Sequence, residues 1–241
     1  MIRWRTVDRD VQPHCTDTRY TIGTALKVSE SHMQDITCYP GESFEMSTEL
    51  ADIFGSIGRE QGYDDIAAEF APHKEFKSSW RRSGRSVQFQ ISDYMGGADR
   101  SVLEDFATSL YRRLDRGPCG TIYTPKLVSW LMSREFLDRN QAMYLKRSRN
   151  LTLDHRGKTY DLQDAYLSLR DQGLVRDCPD AVFNWTVRKN RMRVGYCSVL
   201  MKVIAVSSIL DSPNVPSFVS EYVLYHELLH IQDGLRPDRR H

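Results

Sequence analysis

His226-Glu227-Leu228-Leu229-His230 is the one run in this 241-residue chain whose residue types and spacing name a chemistry. On an α-helix, residues four apart lie on one face, so His226 and His230 can aim both imidazoles at a single metal ion. Glu227 is turned off that line, where it can reach a water on the metal without being a ligand. Zinc suits such a donor set, and the chemistry it offers is hydrolysis by an activated water.

That geometry needs a helix, and the flanking residues supply one. Pro216 suits a first helical position, where its missing N–H costs nothing, and Gly234 offers a left-handed stop. No Pro or Gly lies between them. Apolar residues fall on nearly every side of this segment, which predicts a core helix with His226, Glu227 and His230 all buried. Burying them unpartnered is costly, and a metal with its water would satisfy all three.

A catalytic zinc takes three protein ligands and keeps a fourth position for water. The extended pattern HExxHxxGxxH would need Gly at 233 and His at 236, where the chain has Asp233 and Arg236. A glutamate from a following helix is not found in residues 231–241. Asp233, Asp238 and His241 remain. Asp233 shares the helix but points away from a metal held by the 226/230 pair, whereas Asp238 and His241 can return from a loop.

The elements that must position this helix are partly legible upstream. Leu50, Ile53, Phe54 and Ile57 form a helical stripe over 47–61, stopped by Gly62. Residues 77–82 and 86–91 read as strands around a turn at Ser83-Gly84. Ser101-Val102-Leu103-Glu104 is a capping box, opening a helix that buries Leu103, Phe106, Ala107, Leu110 and Leu114 and ends at Gly117-Pro118. Thr124-Pro125 starts a helix carrying Leu127, Val128, Leu131 and Phe136, and another covers 161–172. From Ala181 the period changes to two, predicting strands over 181–188 and 194–207. The fold expected is α+β: a mainly antiparallel sheet packed against the HExxH helix, with additional helices N-terminal to it. Residues 1–40 read as a loosely ordered extension, 41–180 as an α+β part with a helical middle, and 181–241 as the core that carries the site.

Composition narrows the setting. Hydrophobic residues at 40% and charged residues at 27% are ordinary globular values. No stretch approaches the ~20 apolar residues of a membrane span, and the N-terminus lacks the apolar run of a signal peptide. Five scattered cysteines without a CxxC pair suit reduced thiols in a cytoplasmic protein. A net charge of +1 predicts no polyanionic partner from bulk electrostatics. The basic clusters at Arg81-Arg82, 146–149 and 188–193 then read as solvated faces.

Residues 180–241 resemble the SprT-like zinc metallopeptidases and the related YgjP-type proteins. The resemblance is carried by Asn184-Trp185-Thr186, by Arg191-Met192-Arg193-Val194-Gly195-Tyr196-Cys197-Ser198, and by Ile204-Ala205-Val206-Ser207. Val215-Pro216 and the run from Tyr222 to His230 complete it, with a weaker match at 79–83. It implies a zincin-like core hydrolysing protein or peptide substrates. Zn²⁺ would be held by His226, His230 and, after the basic turn Arg239-Arg240, by His241, with Glu227 as general base. It also implies an extended substrate added along a strand edge near the metal, for which Tyr196–Ala205 is the candidate. Two other readings stand beside this one: a DNA-associated protease acting on DNA-bound proteins, and a protein that is either a non-catalytic zinc-binding module or a latent protease whose residues 1–40 occupy the cleft. Tyr196, Tyr222 and Tyr225 are expected as core aromatics, and Cys197 as a small buried hydrophobe.

Overall fold

The computed structural model of the chain describes residues 18–23, 42–116 and 121–235. His241 and Asp238 lie outside them, as does most of the 1–40 segment. In chain order the elements are β1 (Thr18–Gly23), α1 (Glu42–Glu60), β2 (Asp65–Ala71), β3 (Lys77–Ser83) and β4 (Ser86–Ser92). A 3₁₀ turn (Asp93–Gly97), α2 (Arg100–Arg116), α3 (Pro125–Leu131), α4 (Arg134–Arg147) and α5 (Leu162–Asp171) follow. Then come β5 (Val182–Trp185), β6 (Gly195–Ser198), β7 (Val203–Val206) and α6 (Ser217–Asp233).

The fold is α+β, as expected, but its strands form two mixed sheets rather than one mainly antiparallel sheet. The first has the order β1-β3-β4-β2 and the second β5-β7-β6. Each contains one parallel pair, β2 with β4 and β5 with β7. The cause is the same in both. A hairpin (β3–β4, β6–β7) places its second strand inside the sheet, and the strand preceding the hairpin docks on that strand's far side.

Local capping explains where the other expectations shift. The helix expected over 124–136 is two helices. Thr124 caps α3 by accepting from the Leu127 N–H at 3.2 Å, and Ser133 starts α4 afresh by accepting from the Phe136 N–H at 3.1 Å. Ser101 lies inside α2, and Glu104 pairs with the Arg100 guanidinium at 2.8 Å instead of closing a capping box. The strand expected over 194–207 is the hairpin β6–β7, turned at 199–202 with Lys202 in the left-handed region (φ 48°).

The second sheet is a middle layer. Val203 and Ala205 of β7 belong to the larger core with Phe54, Phe89 and Tyr111, while Ile204 and Val206 belong to a core with Trp185, Leu224 and Leu228. All four β7 residues are fully buried, which is why the strand reads as an unbroken apolar run. One face of the sheet therefore carries α5 and α6, and the other faces the remainder of the fold. Among the described residues no helix is long and apolar enough to cross a membrane.

A polar junction ties the end of α4 to the first sheet. The Arg147 guanidinium donates to both Asp93 carboxylate oxygens and to the His73 carbonyl at 2.8 Å, and lies 5.1 Å over the Tyr94 ring. Beside it, burial and then the Lys77 charge lower the His73 pKa below 6.5. The folded state thus favours neutral His73, while the unfolded chain protonates it. Its contribution to stability is complete above pH 6.5 and is lost as pH falls from there through the folded value. Urea midpoints measured down a pH series should fall less steeply for His73→Phe than for the parent.

Candidate metal centre

The ends of α6 fall at the flanking residues, although Pro216 takes the N-cap, with extended backbone, and not the first helical position. Pro216 immediately precedes the helix. Gly234, at φ 69°, folds back so that its N–H reaches the carbonyls of His230 at 3.2 Å and Ile231 at 3.1 Å. The buried side is a stripe of Ser220, Leu224, Glu227, Leu228 and Ile231, which packs on β6, β7 and α5.

The expectation of burial on all sides is corrected here. His226 and His230 are exposed, and so are Phe218 and Tyr222, each at 66%. Of the three motif residues only Glu227 is buried, at 8% exposure. One sheet and one helix cover one side of α6, and an apolar count around a helix does not say which side is covered. Tyr222 is therefore not a core aromatic, whereas Tyr225 packs against the second core.

The two imidazoles converge. His226 Nε2 and His230 Nε2 are 3.2 Å apart, with ring planes at 89°. Without an ion the contact is an N–H···N hydrogen bond between the rings, and since two nitrogens bound ~2.0–2.1 Å from one tetrahedral zinc lie about 3.3–3.4 Å apart, the same spacing also suits a shared ion. Neutral imidazole offers one acceptor nitrogen, and a cation lets both rings present theirs to the same point.

Glu227 is tucked against the start of β6, beside Gly195, while the imidazoles stand exposed. Burial raises its pKa, against the favourable charges of His226 and Arg193 and a hydrogen bond from the Cys197 thiol. Burial and the nearby carboxylate in turn push the Cys197 thiol up, keeping it a proton donor to Glu227. Gly195 is what lets the carboxylate come so close. A Cβ there would stand 2.6 Å from Val223 Cγ1 and 2.8 Å from Glu227 Oε1. Cys197 is thus more than a small hydrophobe, and Gly195, Cys197 and Arg193 were not singled out around Glu227 from the sequence. The signal was available: a Gly-x-Cys step on a strand puts both residues on one face.

Tyr196 points to the other side of β6, its ring 4.5 Å from the Arg193 guanidinium and 5.4 Å from Lys74 Nζ. Among the described residues, no third His, Cys, Asp or Glu groups with the histidine pair. The expected third ligand, His241, lies outside them. Compared with known protein families, with curated proteins and with solved structures, the chain matches none.

Proposed function

We propose that this protein is a zinc-dependent peptidase of the SprT-like kind, with a zincin-like core, working on protein or peptide substrates in the cytoplasm. The observation that carries the reading is the 3.2 Å separation of two exposed imidazole nitrogens next to a buried glutamate. A structural zinc site has no use for a buried base beside it; a hydrolytic site does.

His226 and His230 hold the ion, and His241 is proposed as the third ligand. Zinc bound there supplies a Lewis acid for the scissile carbonyl and brings the pKa of a water toward ~7. Glu227 accepts the proton of the attacking water and delivers it to the leaving amine. Its burial makes it a stronger base than an exposed carboxylate, and the Cys197 S–H and the Arg193 charge hold it ionised in place. The strand that would receive an extended substrate is β6, the edge of its sheet, so the expected Tyr196–Ala205 strand contracts to Gly195–Ser198.

Elemental analysis of purified protein, with hydrolysis of an unfolded polypeptide assayed in parallel, tests the reading. One zinc per chain is expected, lost in His226→Ala and in His230→Ala together with activity. Metal-free protein that still hydrolyses the substrate would remove the proposal.

Gly195 provides a sharper check. Gly195→Ala should lower kcat by at least about tenfold, because the added methyl displaces the Glu227 carboxylate, at a stability cost of about 1–3 kcal/mol. Zinc content should stay at the parent value. A kcat equal to the parent's would mean that the close approach of β6 to Glu227 has no part in turnover.

A further inference from the structure

Two cationic segments far apart in sequence are stitched together, and one of them runs into the strand that packs against Glu227. Asn150, just beyond α4, accepts the Arg188 N–H on its side chain and the Val187 N–H on its carbonyl, each at 3.0 Å. The 187–194 loop is then fixed along its length. Asn190 Oδ1 accepts the N–H groups of Met192 at 2.9 Å and Arg193 at 3.1 Å. The Ser207 hydroxyl accepts the Asn190 N–H and donates to the Asn190 carbonyl, both at 2.9 Å. The Ser207 N–H reaches the Val194 carbonyl at 2.8 Å. A loop held in this way loses little further freedom when something binds it.

Its side chains share one sign of charge. Lys146, Arg149, Arg188, Lys189 and Arg191 are exposed, and among the described residues none of them forms an ion pair. Residues 146–153 and 187–198 contain no Asp or Glu. Apolar side chains stand between the cations: Met192 is 96% exposed, Val187 59% and Val194 37%. The loop also runs directly into Gly195 and β6, and its Arg193 acts electrostatically on Glu227.

Cations alone would suit any anion, but two observations favour a polypeptide. Apolar groups interleaved with the charges match a segment of Asp or Glu broken by large apolar side chains, which a phosphate backbone does not offer. The chain as a whole has 33 basic against 32 acidic residues, without the broad field that nucleic-acid binding draws on. We infer that this cationic platform docks an acidic, apolar-interrupted stretch of polypeptide and leads it onto β6, past the histidine pair. The inference rests on the peptidase reading for its substrate class, and its test does not require turnover.

The test uses Glu227→Gln protein, which holds substrate uncut. Fluorescence anisotropy compares a labelled peptide alternating Glu with Leu, the same peptide with Gln for Glu, and a single-stranded oligothymidylate of equal length. The Glu peptide should bind about tenfold more tightly than the Gln peptide, the yield of two or three surface ion pairs, with the difference shrinking as salt rises. Adding Arg188→Glu and Arg191→Glu should erase the difference, with the thermal melt and zinc content of Glu227→Gln retained. Equal binding of the two peptides, indifference to the charge reversals, or tighter binding of the oligothymidylate would overturn the docking assignment. Discrimination between the peptides in protein that binds no zinc would preserve docking and sink the peptidase reading. Zinc and turnover without discrimination would do the reverse.

Discussion

Glu227→Gln is expected to reduce hydrolysis of an unfolded polypeptide by about 10²–10⁴-fold, the usual worth of a positioned general base, with zinc content unchanged. The carboxamide is nearly isosteric and can still accept the Cys197 hydrogen bond, but it cannot take a proton from water. Folding should not suffer. Burial disfavours the carboxylate, as its raised pKa shows, and a neutral amide in the same place removes that cost. The thermal melt should therefore match or exceed the parent's while kcat collapses. Activity surviving in zinc-loaded Glu227→Gln would show that Glu227 is not the base.

The largest change in stability is expected from Arg147→Met, at about 3 kcal/mol, read as a lower urea midpoint. The guanidinium joins three pieces of the molecule at once: the Asp93 carboxylate, the His73 carbonyl and the Tyr94 ring. Arg147 and Asp93 keep only 19% and 23% of their side-chain surface exposed. Methionine fills much of the volume but leaves the Asp93 charge half-buried and unpaired, which costs more than the attraction itself was worth. Asp93→Asn in the Arg147→Met background should recover part of the loss. If the double variant is no more stable than Arg147→Met, the unpaired charge is not the cause.

What was legible in the sequence follows from how local each signal is. The motif helix was readable to within a residue because Pro216 and Gly234 bracket it, and both act over one turn. Gly84, with φ 58°, marks the β3–β4 turn for the same reason. β2 escaped because Ala67, Ala68 and Ala71 blur its alternation, and only its register beside β4 makes it a strand. Strand direction in both sheets was invisible, since period-two patterning is identical for parallel and antiparallel neighbours. The 146–149 and 188–193 clusters read separately as solvated faces. Their union depends on Asn150, whose side-chain partner, the Arg188 N–H, lies 38 residues away. The motif named the histidines and Glu227; the groups around Glu227 come from a strand thirty residues upstream whose facing side the sequence does not announce.

The outward stance of His226 and His230 sets how a metal held by them would be exchanged. Two apolar cores, neither of which includes the imidazoles, hold α6 and its sheet together without help from an ion. Loading and stripping of that metal would then be surface events, decoupled from the opening of the fold, in contrast to small domains that collapse when their zinc leaves. A chelator should empty the site at a rate independent of denaturant well below the unfolding midpoint. The emptied protein should keep its far-ultraviolet circular dichroism and regain activity on zinc addition alone.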